Sequence, residues 1–211
     1  MRRPVSRSTR RLRRALALGV IGIVVLGAMP ATAANGGFRT KVPSMLDPIA
    51  PGVQIRPIMT VGDRLGSGFV LDSLLDGISL KPRGNGRVDL WVNHETSLVP
   101  FPGVISDFNN SQVSRLALNQ HSMGVLKADY AIASDANYQR FCSNFLAGAE
   151  HGFDREILFT NEEATDIVNR TGIAWPATPD NGTNAEQAGV VVALDIKSGE
   201  YRTIYGMGRH N

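Results

Sequence analysis

Leu90-Trp91-Val92-Asn93-His94-Glu95 and Leu158-Phe159-Thr160-Asn161-Glu162-Glu163 follow one pattern at two places in the chain. Each is an apolar run of strand length that ends in Asn-x-Glu. A second pair repeats in the same way: Ala117-Leu118-Asn119 with Ser122 and Gly124 nearby, and Ala193-Leu194-Asp195 followed by Ser198-Gly199. The pair reads as one hairpin signal used twice. Self-similarity at a fixed offset marks a repeat architecture, and the offsets of 68 and 76 residues are each near two propeller blades if a blade takes roughly 40 residues.

Outward from these stretches the chain is a series of short strand-like runs separated by turn residues: 68–71, 78–81, 88–93, 113–118, 125–133, 157–161, 190–196 and 201–205. No amphipathic stretch of helical period lasts three turns. Many short strands with Gly, Asn and Asp between them predict an all-β domain, a sandwich, barrel or propeller, and the two echoes favour the propeller. From Ala34 to about Pro57 the chain is rich in Gly and Pro without a sustained period. That segment reads as an extended lead-in lying over the domain formed by 58–211.

The 211 residues are 43% hydrophobic and 19% charged with a single cysteine, which excludes collagen-like, low-complexity and disulfide-framework chains. The net charge of +3 is misleading, because seven of the 22 basic residues lie in the first fourteen positions. The remainder holds 15 basic against 19 acidic residues, net −4. A mildly acidic body with no basic run interleaved with aromatics gives no reason to expect nucleic acid as a partner.

The Arg-rich start is followed by an uncharged apolar run from Ala15 to Met29 and then by Ala31-Thr32-Ala33. This is the grammar of a secretory signal peptide over 1–33. The run is short of the roughly 20 residues needed to span hydrocarbon, so no stable membrane anchor is expected after cleavage. Thr9-Arg10-Arg11-Leu12 and Leu12-Arg13-Arg14-Ala15-Leu16 each fit a twin-arginine signal in part, which leaves the export route open between the two pathways. A lone Cys142 in an oxidising compartment has no intrachain disulfide partner. It is either a small buried hydrophobe or a ligand.

In an extended segment alternate residues share a face, so Asn93 and Glu95 point one way and His94 the other, and Asn161 and Glu163 repeat the pattern. An amide oxygen beside a carboxylate is a hard-donor pair of the kind calcium collects. His94 reads as a packing or supporting residue, and His121 and His151 as solvated loop residues. The chain has no G-x-S-x-G, P-loop or H-E-x-x-H.

The ordered series Asn93-His94-Glu95, then Cys142 ahead of Ile157-Leu158-Phe159-Thr160-Asn161-Glu162-Glu163, then Gly208-Arg209-His210-Asn211 resembles the PhoX-type secreted alkaline phosphatases. The Val113-Ser114-Arg115-Leu116 strand is also similar to a segment of these proteins, and the resemblance runs from about Ile55 to the end. It implies a six-bladed β-propeller whose axial site holds calcium and ferric iron and hydrolyses small phosphate monoesters. Glu95, Glu162 and Glu163 would be carboxylate ligands, with Asn93 and Asn161 as further oxygen donors, and Cys142 a thiolate ligand to iron. His94, Arg209 and His210 would contact phosphate or support the ligands. Two departures stand out: Ala149-Glu150-His151-Gly152-Phe153 looks like an insertion between Cys142 and Glu162, and the series stops where the family continues. The resemblance therefore implies an N-terminal portion, inactive alone. A calcium-bound extracellular propeller without this catalysis is the alternative reading.

Overall fold

The computed structural model describes residues 36–72, 74–96, 110–170 and 185–208. The proposed signal over 1–33 and the Arg209-His210 pair lie outside them.

β1 (Leu75–Gly84), β2 (Arg87–His94), β3 (Gln112–Asn119) and β4 (Val125–Ile132) form one antiparallel sheet in chain order. A two-residue turn of Asn85 (φ 50°) and Gly86 (φ 69°) joins the first two strands. Two successive positive φ values twist the hairpin in the same hand as its strands, and Asn-Gly is the sequence that reaches them most cheaply. β5 (Phe141–Ala147), β6 (Ile157–Glu162), β9 (Val191–Asp195) and β10 (Tyr201–Thr203) form a second antiparallel sheet of four. Between β6 and β9 the chain makes a two-stranded excursion, β7 (Ile167–Asn169) with β8 (Ala185–Gln187). The described residues are all-β apart from short 3₁₀ turns.

Both echoes sit at equivalent places in the two sheets. Leu90–Glu95 runs through β2 and Leu158–Glu163 through β6, the second strand of each meander in chain order. Asn119 ends the third strand of the first sheet, and its Oδ1 accepts the backbone N–H groups of His121 (2.9 Å) and Ser122 (3.0 Å). Asp195 ends the third strand of the second, and its Oδ1 accepts those of Lys197 (2.8 Å) and Ser198 (3.1 Å). An Asx side chain standing in for a backbone acceptor is what closes each hairpin. The offsets therefore carry the chain from one sheet to the next, not across two units. Long connections, such as 163–190 between β6 and β9, make up the length.

Trp91, Val113, Ile132, Phe141, Leu158, Val190, Val192 and Leu194 form the core shared by the two sheets. The opposite face of the first sheet, with Val92, Leu116, Leu118, Val125 and Ala128, is covered by Phe69 and Leu71 and flanked by Phe38, Ile58, Met59 and Leu65. The lead-in reaches this face at Phe38, which pairs with Val125 through two backbone hydrogen bonds. The run 68–71, expected as a strand, makes only an isolated bridge between Arg64 and Val70. The backbone turns back at Leu65–Gly68, so 69–71 bonds only the short stretch 62–65 (Leu65 N–H to Phe69 O at 2.9 Å, Leu71 N–H to Asp63 O at 3.0 Å), too little for a ladder.

β1 lies along β5, and the contact is made by backbone. A Cβ on Gly77 would stand 2.5 Å from the Cys142 carbonyl oxygen and 2.6 Å from Asn144 N. Asn144 ties the strands together, accepting from Ser79 Oγ (2.6 Å) and donating to Gly77 O (2.7 Å) and to Asn93 Oδ1 (3.0 Å).

Candidate functional site

The ends of β2 and β6 hold buried polar groups where the echoes place His94 and Glu162, both with no exposed surface. Burial of that degree demands partners. His94 Nδ1 lies 2.9 Å from Asp72 Oδ1 and 2.8 Å from the Asp72 carbonyl oxygen. Both neighbours are acceptors, so Nδ1 carries the proton and Nε2 accepts from Ser114 Oγ at 2.6 Å. The order Asp, His, Ser is that of a hydrolytic triad. Ser114 and His94 are nevertheless completely buried, which leaves no room for an acyl substrate at Oγ. The arrangement instead ties the segment just before β1 to β2 and β3.

Burial alone would raise the Asp72 carboxyl, but the hydrogen bonds it accepts from His94 and then Gln112 outweigh it and hold the group below its ordinary value. A carboxyl depressed in the folded state contributes stability above its unfolded pKa and loses it as pH falls through the folded one. Wild-type protein should therefore lose stability below about pH 4, and Asp72→Asn should flatten that part of the curve. Denaturant midpoints between pH 6 and 2 check this; parallel acid limbs would contradict it.

The Glu162 carboxylate is fully engaged by protein donors. Arg170 binds it through both terminal nitrogens (2.5 and 2.7 Å), and the backbone N–H groups of Gln139 (2.7 Å), Gly189 (2.9 Å) and Val190 (3.1 Å) complete the set. Glu162 thus departs from its expected role as a ligand, because its lone pairs are taken by the fold. Asn93 departs in the same way. Its Nδ2 is placed against Cys142 O (2.8 Å), Ser143 O (3.1 Å) and Thr160 Oγ1 (2.9 Å), and its oxygen accepts from Asn144. Asn161 is partly exposed, with Nδ2 donating to Ser143 Oγ at 3.1 Å. The two Asn-x-Glu ends share strand register but differ in surroundings, since β2 is covered on both faces and the Asn161 face of β6 is not.

Glu95, Cys142 and Glu163 keep some exposure. Glu95 follows β2 and its N–H bonds Leu74 O at 2.8 Å, while Glu163 follows β6 and its N–H bonds Arg140 O at 2.8 Å. Cys142 lies near the start of β5. Burial first, then hydrogen bonds and charge from Asp76 and Glu163, push its thiol up to about 12. Asp76, on β1, is a site residue that the sequence reading missed, since an Asp before Gly reads as a turn. A thiol between two carboxylates marks a place with excess negative charge. These side chains surround the thiol as its partners, and among the described residues no three His, Cys, Asp or Glu side chains are disposed as ready ligands of one ion.

His151, in the β5–β6 connection, accepts Gly148 N–H at 3.2 Å and packs edge-on against Phe145 at 4.8 Å. It stands apart from the thiol cluster in a 3₁₀ turn, Ala149–His151. Comparison with known protein families, with characterised proteins and with solved structures finds no match to this chain.

Proposed function

We propose that the chain belongs to an exported, metal-dependent phosphomonoesterase of the PhoX type, with its two meanders as successive blades of a propeller. The carrying observation is the meeting of Asp76, Cys142 and Glu163, which come from β1, β5 and the end of β6, around one thiol. A propeller with β1 and β5 as neighbouring inner strands brings such side chains toward its axis. The donor set suits the implied metals in type: carboxylate oxygens for calcium, and a thiolate with carboxylates for ferric iron.

Cys142, Asp76 and Glu163, joined by Glu95, would hold the ions. Bound there, such ions would supply Lewis-acid chemistry, offsetting charge on phosphate oxygens and lowering the pKa of a nearby water. On ligation Cys142 would release its Sγ proton to solvent, and Asp76 and Glu163, which otherwise accept the S–H hydrogen bond, would supply negative charge to the ion. Asn93 and Asn144 hold the Cys142–Ser143 backbone against β1 and β2, which fixes the thiol relative to Asp76. No serine nucleophile is required, in keeping with the burial of Ser114.

Protein purified after export in calcium and ferric iron should contain iron and show a thiolate-to-iron absorption band. Cys142→Ser should abolish the band, and Glu163→Gln should lower the metal content. In the complete propeller Cys142→Ser should cut hydrolysis of p-nitrophenyl phosphate about 100-fold or more. Colourless, iron-free wild-type protein overturns the reading.

A further inference from the structure

We propose a second, metal-independent anion site on the first sheet, a hollow over Ala117 that takes a tetrahedral oxyanion of the phosphate class, free or as a monoester. Strand register builds it. Lys81, Asp89, Ala117 and Lys127 stand in one row across the four strands, and Trp91, Arg115 and Asp129 in the next. Ala117 is the smallest side chain in its row, so a cleft of about 440 Å³ opens above it, walled by Arg83, Arg87, Arg115 and Lys127.

The walls are held in place from below. Asp89 is 3% exposed and accepts from Arg83 Nε (2.7 Å) and from Arg115 Nε (3.2 Å) and Nη2 (2.7 Å). Arg83 also lies over the Trp91 ring at 5.6 Å. A buried carboxylate that fixes two guanidinium groups removes most of the entropy they would lose on binding. Among the described residues Arg83 is left with both terminal nitrogens and Arg115 with Nη1. The Arg87 side chain has no hydrogen bond or ion pair to any described residue, its backbone alone pairing in β2. Lys127 is paired with Asp129 at 2.7 Å. Four cations against two carboxylates give the cleft a net charge of +2 within an acidic body.

That charge matches a phosphate dianion, and forked guanidinium donors suit its oxygens better than they suit a spherical ion. β2 runs from Arg87 at the cleft to His94 beside Glu95, roughly 20 Å of strand. The hollow is therefore separate from the thiol cluster and stands whether or not the metal reading holds.

The test is calorimetric titration of purified protein with inorganic phosphate and with glycerol phosphate, in chelator and at constant ionic strength. Chelator removes any contribution from bound metal. Binding of either anion is expected, and the preferred one identifies the source. Arg87→Ala should weaken it about tenfold or more without lowering thermal stability, since the substitution keeps the backbone pairing and the Arg87 side chain bonds no described residue. Ala117→Glu, which fills the hollow with a carboxylate, should abolish it. No saturable binding at millimolar anion, or binding that both variants retain, overturns the proposal.

Discussion

Arg170→Ala is expected to destabilise the protein by about 3–5 kcal/mol, because it leaves the buried Glu162 carboxylate without its counter-charge. The wild-type pair is fully engaged. Burial acts to lower the Arg170 pKa, but Glu162 and then Glu186 outweigh it and raise the group above its ordinary value. Arg170 Nε bonds Glu186 at 2.8 Å, Nη1 bonds Asn137 O at 2.9 Å, and the guanidinium lies 4.8 Å from the Tyr138 ring centroid. One side chain thus joins β6, β8 and the segment leading into β5. Breaking the pair differs from replacing it: Glu162→Gln in the Arg170→Ala background removes the stranded charge and should recover part of the loss. Urea unfolding of the two variants measures both effects. A single-variant cost below about 1 kcal/mol would show that Glu162 finds other compensation, which its complete burial argues against.

The strands were legible because their chemistry is local. Alternation and turn residues placed β2, β3, β4 and β6 within a residue or two, and the Asn119 and Asp195 hairpins announce themselves by side chains that bond their own turns. β5 was missed. Its burial alternates along Phe141–Ala147, but Ser143 and Asn144 give it the composition of a loop, and it follows Arg140 at φ 43°. The roles of Asn93 and Glu162 were illegible for a different reason. Period two tells which residues share a face, never what lies beyond that face. The Cys142 and Ser143 carbonyls that meet Asn93 belong to a strand 49 or 50 residues away. Arg170 reaches Glu162 from the far end of β7. Both asparagines and all three glutamates had plausible donor chemistry. Tertiary contact divided them, spending Asn93 and Glu162 inside the fold and leaving Glu95 partly exposed and Glu163 exposed.

The same dependence makes Gly77 the position where fold and site can be separated by one methyl group. In Gly77→Ala the new Cβ would meet Cys142 O at 2.5 Å, Asn144 N at 2.6 Å and Ser143 C at 2.9 Å. All three are backbone atoms, so no rotamer change relieves the clash and β1 must move away from β5. Overpacking of this kind costs about 1–3 kcal/mol. The Ser79–Asn144 and Asn144–Gly77 hydrogen bonds span the same gap and are strained with it. The movement also carries Asp76, the residue next to Gly77, away from the thiol. In metal-free protein the Cys142 thiol is held up to about 12 by burial and by Asp76 and Glu163, so thiolate is scarce at pH 8 and alkylation is slow. Opening the β1–β5 seam hydrates the sulfur and removes one neighbouring carboxylate, and both changes lower the pKa. Gly77→Ala should therefore be less stable yet alkylate faster at pH 8 under conditions where it remains folded. A merely destabilised protein with an intact seam would show the first effect without the second. Unchanged alkylation in the folded variant would mean that β1 yields elsewhere and that the backbone contact does not position Asp76 against Cys142.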